Sequence, residues 1–214
     1  TERVRASRKA ALELLMSDHV GDCRPPCSLN CPAGTDCQGY IGMVANGQLK
    51  QAAKLIKDVF PFPSSIGRIC PHPCETACRR GLIGDPVSIA YIKAYIGDKD
   101  LESGHPYVKP IEPDTGHTVA IIGGGPAGLT AGYQLRSKGH KVTIYDAMPK
   151  MGGMLRYGIP EYRLPKAILD KEIALIEGMG IEMIHDVSVG TDISFQYIRE
   201  NYDAVLVAAG AWSS

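Results

Sequence analysis

The chain has 214 residues, enough for one large domain or two modest ones with their own cores. Its 23 Lys plus Arg balance 23 Asp plus Glu, so no long-range field is available to hold a polyanion, and nucleic acid is excluded as the main partner. No apolar run approaches the ~20 residues that span a bilayer and no secretory signal is evident, which fits a cytoplasmic location.

In chain order, a helix is expected over 2–17, where Val4, Ala11, Leu14 and Leu15 recur near helical spacing without internal Gly or Pro. Residues 18–36 are rich in Cys, Pro, Asp and Gly, which is loop chemistry. Two helices follow, over 37–46 and 48–58, separated by Asn46-Gly47 and closed by Pro61 and Pro63. Cys70, Cys74 and Cys78 share a short stretch that begins Cys70-Pro71. A helix over 87–97 puts Ile89, Ile92 and Ile96 on one face, and 98–117 reads as a linker. From His117 the pattern becomes α/β. Strands are expected at 119–122, 141–145, 181–185 and 204–208, and helices at 126–137, 165–179 and 193–200. The tyrosines Tyr91, Tyr95, Tyr157 and Tyr162 are expected to pack in the core or along helices. Asp114, His117 and Glu161 are expected to serve as surface or structural residues.

All seven cysteines lie between Cys23 and Cys78. Without a signal peptide, such a cluster binds metal more often than it forms disulfides, and an odd number fits a fully paired scaffold poorly. The spacing is Cys23-x3-Cys27-x3-Cys31-Pro32, then Cys37, then Cys70-Pro71-x2-Cys74-x3-Cys78. Closely spaced thiolates followed by proline suit cuboidal iron–sulfur clusters, because soft anionic sulfur holds iron and proline turns the chain away. Structural zinc is the competing reading, although the paired C-x2-C of most zinc sites is absent.

The segment Gly123-Gly124-Gly125-Pro126-Ala127-Gly128 fits G-x-G-x-x-G between an expected strand and an expected helix. The first glycine permits the tight turn, the second lets the backbone approach a pyrophosphate, and the third seats the helix on the strand. The helix N-terminus offers unpaired N–H groups and its positive dipole end to phosphates. Asp146 closes the second strand, where an acid would bind ribose hydroxyls.

Met151-Gly152-Gly153-Met154-Leu155-Arg156-Tyr157-Gly158-Ile159-Pro160, then Tyr162-Arg163-Leu164-Pro165-Lys166 and Tyr202-Asp203-Ala204-Val205-Leu206-Val207-Ala208-Ala209-Gly210-Ala211, resemble matching segments of one flavoprotein family. That family comprises the small subunit of glutamate synthase, the amino-terminal part of dihydropyrimidine dehydrogenase and the large subunit of bifurcating ferredoxin:NADP oxidoreductases. Ile66-Gly67-Arg68-Ile69-Cys70-Pro71, Cys74, Cys78, Cys27 and Cys31-Pro32 extend the match into the cysteine module.

The resemblance implies an α-helical, ferredoxin-like iron–sulfur module over 1–97 and a linker over 98–117. An α/β Rossmann-type FAD-binding segment over 118–214 follows, incomplete at its C-terminal end. It implies FAD and two 4Fe–4S clusters, with NAD(P)H acting in the complete enzyme at a domain outside these residues. Gly123, Gly125, Pro126 and Ala127 would line the FAD pyrophosphate, with Gly124 and Gly128 in the same turn. Asp146 would hold the adenosine ribose, and Gly153 belongs to the second flavin contact. Met154 and Arg163 would meet the flavin half or the phosphates, and Val189 would lie near the adenine.

Two clusters need eight ligands. The family often places a cysteine where His19 stands, and a Gln or Glu where Lys93 stands, while Cys37 is additional. One cluster is therefore assigned to His19, Cys23, Cys27 and Cys78, and the other to Cys31, Cys37, Cys70 and Cys74. The bland alternative for His19 is a cation at the end of the first helix.

The implied activity is that of an NAD(P)H-dependent flavin and iron–sulfur oxidoreductase, this chain relaying electrons between FAD and the clusters for partner subunits or domains. The chain is expected to continue beyond Ser214 or to be completed by a separate polypeptide. Two other classes stay open. One is a zinc-stabilised dinucleotide-binding structural or regulatory subunit. The other is a relay flavoprotein that never meets nicotinamide.

Overall fold

The structure, a computed structural model, describes residues 1–18 and 24–211. His19 and Cys23, both assigned above to a cluster, lie outside the described residues. Helix α1 (Glu2–Ser17) forms as expected. Its side chains are nevertheless exposed throughout, Leu14 and Leu15 included, so its apolar residues do not join the core.

A helical module follows: α2 (Pro26–Leu29), α3 (Cys37–Ala45), α4 (Leu49–Lys57), α5 (Pro63–Ile69), α6 (Pro73–Thr76) and α7 (Ile89–Glu102). Proline opens α2, α5 and α6 within their first turn, where its missing N–H has no helical partner to lose. Pro63 was read above as a helix stop, whereas it starts one. Asp36 caps α3 by accepting the Gly39 N–H at 2.9 Å.

Helices α5 and α7 cross at backbone contact. A Cβ on Gly67 would stand 2.5 Å from the Ala94 nitrogen, and one on Gly97 would stand 2.5 Å from the Ser64 nitrogen. Helix α7 also runs to Glu102, so 98–102 is helix and not the linker expected there.

The segment 103–117 is a strap with fixed partners. The Tyr107 N–H donates to Asp100, and the Lys109 N–H donates to the Tyr133 hydroxyl at 3.0 Å. Glu112 and Thr115 donate backbone N–H groups to the Ser137 and Gly139 carbonyls.

The second part is a four-stranded parallel sheet of order β3-β2-β1-β4, from β1 (Thr118–Ile122), β2 (Lys141–Tyr145), β3 (Glu182–Ile184) and β4 (Ala204–Val207). Ile121 sits opposite Ile144 on one side and Leu206 on the other. Helices α8 (Pro126–Ser137), α9 (Met154–Tyr157), α10 (Lys166–Glu177) and α11 (Phe195–Asn201) complete it. Both faces of β1 are covered, which explains its unbroken apolar run.

The expected separation into two modules does not extend to the core. Tyr40, Ile56, Phe62 and Ile96 of the helical part join Ile121, Leu129, Ile144 and Leu169 of the sheet part in one continuous buried cluster. Gln134 of α8 fastens the seam by donating to the Val59 carbonyl at 2.8 Å. No described helix is long and apolar enough to cross a membrane.

Candidate cofactor sites

The glycine turn forms between β1 and α8, where the spacing placed it. Gly123 has φ +112°, and a Cβ there would lie 2.3 Å from the Ala208 carbonyl oxygen. Gly128 packs α8 on the strand so closely that a Cβ would meet the Gly123 carbonyl oxygen at 1.9 Å. Gly125, the N-cap of α8, is different: only the Gly153 Cα comes within 4 Å of its Cβ position, at 3.9 Å. Space in front of the helix N-terminus is therefore left open by the absence of a side chain, and the first-turn N–H groups face it without helical partners.

That space is a cavity of about 170 Å³ lined by Gly123, Gly125, Pro126, Ala127, Asp146 and Gly153, with Met154 and 208–210 closing it. Of the sequence-derived candidates, Gly123, Gly125, Pro126, Ala127, Asp146, Gly153 and Met154 meet here. Gly153 (φ +48°) presses on the turn, since a Cβ there would be 2.7 Å from the Gly125 Cα. Gly152 donates its N–H to the Gly124 carbonyl at 2.8 Å. The Asp146 carboxylate accepts from the Gly124 N–H and, at 2.7 Å, from the Met148 N–H, so it ties the glycine turn to the loop after β2. A neighbouring cavity of about 370 Å³ runs along Tyr145, Asp146, Met148 and Val187 to Val189.

Met154 is 56% exposed, which removes ordinary core packing as its explanation. Arg163 stands apart from the glycine cradle, exposed on a cavity with Arg68, Cys70, His72, Tyr91 and Tyr162. Met148 and Met151 were not singled out in the sequence. Met151 Sδ fills the space a Gly124 Cβ would need, and nothing in its pattern signals this. Lys166 also has a local role: its ammonium donates to the Leu155 and Ile159 carbonyls and holds the 155–159 turn. Tyr91, Tyr95, Tyr157 and Tyr162 are exposed, not core; Tyr91 instead meets the His72 ring edge-on, with centroids 6.0 Å apart.

The described cysteines fall into two groups. Cys27 and Cys78 line a cavity of about 510 Å³ with Pro25, Pro26 and Arg80. Cys31 is hydrogen-bonded to Cys37, and Cys74 interacts electrostatically with Cys70 and Cys31. Thr35 Oγ1 shares hydrogen bonds with Cys31 Sγ at 3.0 Å and Cys37 Sγ at 3.7 Å. The His72 N–H, held by a left-handed backbone (φ 60°), donates to Cys70 Sγ at 3.4 Å. The Cys37 thiol, hydrogen-bonded to Cys31, pulls the Cys31 thiol down to about 4 and is itself pushed up. Burial raises Cys74, opposed by the charge of Lys93. Among the described residues, no three Cys, His, Asp or Glu side chains are grouped tightly enough for a single metal ion.

Comparison with known proteins follows the same division. Residues 14–105 match the family profile described as dihydropyrimidine dehydrogenase domain II, 4Fe-4S cluster, and residues 121–180 match the NAD(P)-binding Rossmann-like domain. The glutamate synthase [NADPH] small chain of Mycobacterium tuberculosis is 40% identical over 191 residues, covering 89% of this chain and 39% of that protein. The chain is homologous to the glutamate synthase small chain.

Two other relatives of the chain carry different names. The NADPH-Fe(3+) oxidoreductase subunit beta of Geobacter sulfurreducens is 40% identical over 192 residues, covering 88% of this chain and 28% of the relative. The NADP(+)-dependent formate dehydrogenase subunit beta of Moorella thermoacetica is 37% identical over 210 residues, covering 88% and 30%. The chain therefore spans between about a quarter and two-fifths of the length of these relatives. It consists of an iron–sulfur domain followed by an NAD(P)-binding Rossmann-like domain.

Proposed function

We propose that this chain is the electron-relay and FAD-binding part of an NAD(P)H-dependent iron–sulfur oxidoreductase. The observation that carries the reading is the joining of the glycine cradle and the cysteine group by one continuous core. Such a core holds two redox sites at a fixed separation, which electron transfer between them requires.

The residues present fit both groups. The open face of Gly125 and the N-terminus of α8 suit a dinucleotide pyrophosphate, with Gly123, Gly124, Pro126, Ala127 and Gly128 shaping the turn. Asp146 is assigned to the ribose hydroxyls, and Met154 and Val189 line the cradle and its neighbouring cavity respectively. Arg163, on the cavity beside Cys70, is assigned to the side of the flavin that faces the clusters. When bound, FAD converts two-electron hydride chemistry into single-electron transfers.

Two 4Fe–4S clusters are assigned, one to His19, Cys23, Cys27 and Cys78 and the other to Cys31, Cys37, Cys70 and Cys74. The four-cysteine group offers soft sulfur donors and backbone N–H groups aimed at sulfur, such as that of His72. The 4Fe-4S family match over 14–105 spans all seven cysteines and favours iron–sulfur over zinc. The three relatives carry NADPH- or NADP-linked names with different substrates, which supports partner subunits or domains that supply the nicotinamide site and the final acceptor.

The test is anaerobic purification of the intact protein, followed by absorption, iron, sulfide and flavin analysis. A broad band near ~400 nm with flavin peaks and about eight irons per chain is expected. A colourless protein containing zinc would overturn the reading. Titration with NADPH and NADH should bleach the flavin with one of them; no bleaching with either would establish the relay class instead. His19→Ala and Cys37→Ala should each lose iron.

A further inference from the structure

In the segment Cys70-Pro71-His72-Pro73-Cys74 the backbone of His72 is left-handed, with φ 60° and ψ 42°. Among the described residues only His72 and Asp186 take a positive φ without being glycine. Two local rules oppose this conformation at His72. A Cβ is crowded in the left-handed region, and a residue that precedes proline prefers extended backbone. Contacts from outside the segment have to hold it.

The conformation serves both neighbouring cysteines. The His72 N–H donates to Cys70 Sγ at 3.4 Å. The His72 carbonyl accepts the Glu75 N–H at 2.9 Å and the Thr76 N–H at 3.2 Å, which opens α6, the helix that carries Cys74. The imidazole supplies the grip. Its Nδ1 lies 3.3 Å from Glu75 Oε2, and Glu75 Oε1 accepts the Ala90 N–H at 2.8 Å in the first turn of α7. The ring also meets Tyr91, the next residue of α7, edge-on. The His72 side chain is thus tied to the start of a helix that the crossing at Gly67 and Ala94 fixes against α5.

Resting on the iron–sulfur reading of the four-cysteine group, we propose that His72 is a positioning residue for the cluster at Cys31, Cys37, Cys70 and Cys74. Its anchored imidazole keeps the backbone left-handed, the N–H stays aimed at the Cys70 sulfur, and the reduction potential is raised without ligation by His72. One-electron reduction adds negative charge that spreads onto the thiolate sulfurs. A fixed N–H donor on sulfur therefore stabilises the reduced form more than the oxidised form. Every residue but proline carries that N–H; what His72 contributes is the conformation that directs it.

The experiment is an EPR-monitored redox titration of the intact protein, comparing wild type with His72→Ala, His72→Gly and His72→Asn. Iron content, measured first, should be the same in all four. All three variants lose the imidazole, but Gly and Asn accept left-handed backbone and Ala does not. In His72→Ala one cluster should become harder to reduce by about fivefold in its equilibrium, roughly 40 mV for one electron. His72→Gly and His72→Asn should stay within about twofold of wild type, and the second cluster should move in none of them. An unchanged potential in His72→Ala overturns the proposal. So does an equal fall in all three variants, which would make the imidazole itself the cause, and so does loss of one cluster's iron from all three, which would make His72 a ligand. Should His72→Ala take up no cluster, the other two decide: wild-type potentials in both support the backbone role, and a fall in either overturns it. A wild-type protein without iron would instead overturn the underlying reading.

Discussion

Glu172 on α10 holds Ser65 on α5 across the seam between the two parts. Its carboxylate accepts the Ser65 hydroxyl at 2.5 Å and the backbone N–H groups of Ser64 and Ser65 at 2.8 and 3.1 Å. A side chain of the sheet domain thus caps a helix of the cysteine module, satisfying first-turn donors that the local sequence leaves without a partner. Because α5 ends at Cys70, this contact also fixes where the cysteine group stands relative to the nucleotide cradle. Glu172→Ala leaves two buried N–H groups unpaired and should cost about 2–4 kcal/mol. A denaturant midpoint within error of wild type would refute the capping role.

Burial pushes the Glu172 carboxyl up to about 7 despite the hydrogen bonds from Ser65 and Ser64. A folded-state value above the unfolded one, ~4.3, means that the folded chain holds a proton that the unfolded chain has released. This group's contribution is fully present below ~4.3 and is lost progressively as pH rises toward 7. Its size is about 4 kcal/mol. Stability measured across that window should fall with pH in wild type, and Glu172→Gln should flatten the slope.

Lys57 and Asp100 form a buried ion pair between α4 and α7, and Asp100 also receives the Tyr107 N–H at 2.9 Å. Lys57→Met or Asp100→Leu alone strands one charge or its donors and should cost about 3–5 kcal/mol. Lys57→Met combined with Asp100→Leu should recover most of that loss, because no uncompensated charge remains. A double-mutant cycle with additive losses would show that the pair is not coupled.

Gly125 and Gly67 separate cofactor binding from folding. Gly125→Ala meets only an ordinary 3.9 Å contact, so the unfolding midpoint should stay within about 0.5 kcal/mol of wild type. Flavin content should nevertheless fall at least tenfold, because the new methyl group occupies the cradle. Gly67→Ala drives a methyl to 2.5 Å from the Ala94 nitrogen and should destabilise by about 1–3 kcal/mol or more. It should also lower iron content through the displaced end of α5. Flavin retained by Gly125→Ala would remove the cradle assignment, and iron retained by Gly67→Ala would uncouple the α5–α7 crossing from the cysteine group.

The sequence by itself determined the features set by local rules. Glycine spacing between a buried-type strand and a helix located the nucleotide turn, since only Gly tolerates the Gly123 backbone and the contact at Gly128. Cysteine spacing located the other site, and the main helices and strands fell where periodicity put them. Tertiary structure decided what no window of the sequence carries. Pro63 starts a helix because the preceding chain turns and Glu172, more than a hundred residues away, supplies the cap. The segment 103–117 resembles a free linker in composition but is strapped along α8 by backbone hydrogen bonds that leave no pattern in side chains. The two expected modules share one core, because burial depends on which surfaces meet once the chain has closed.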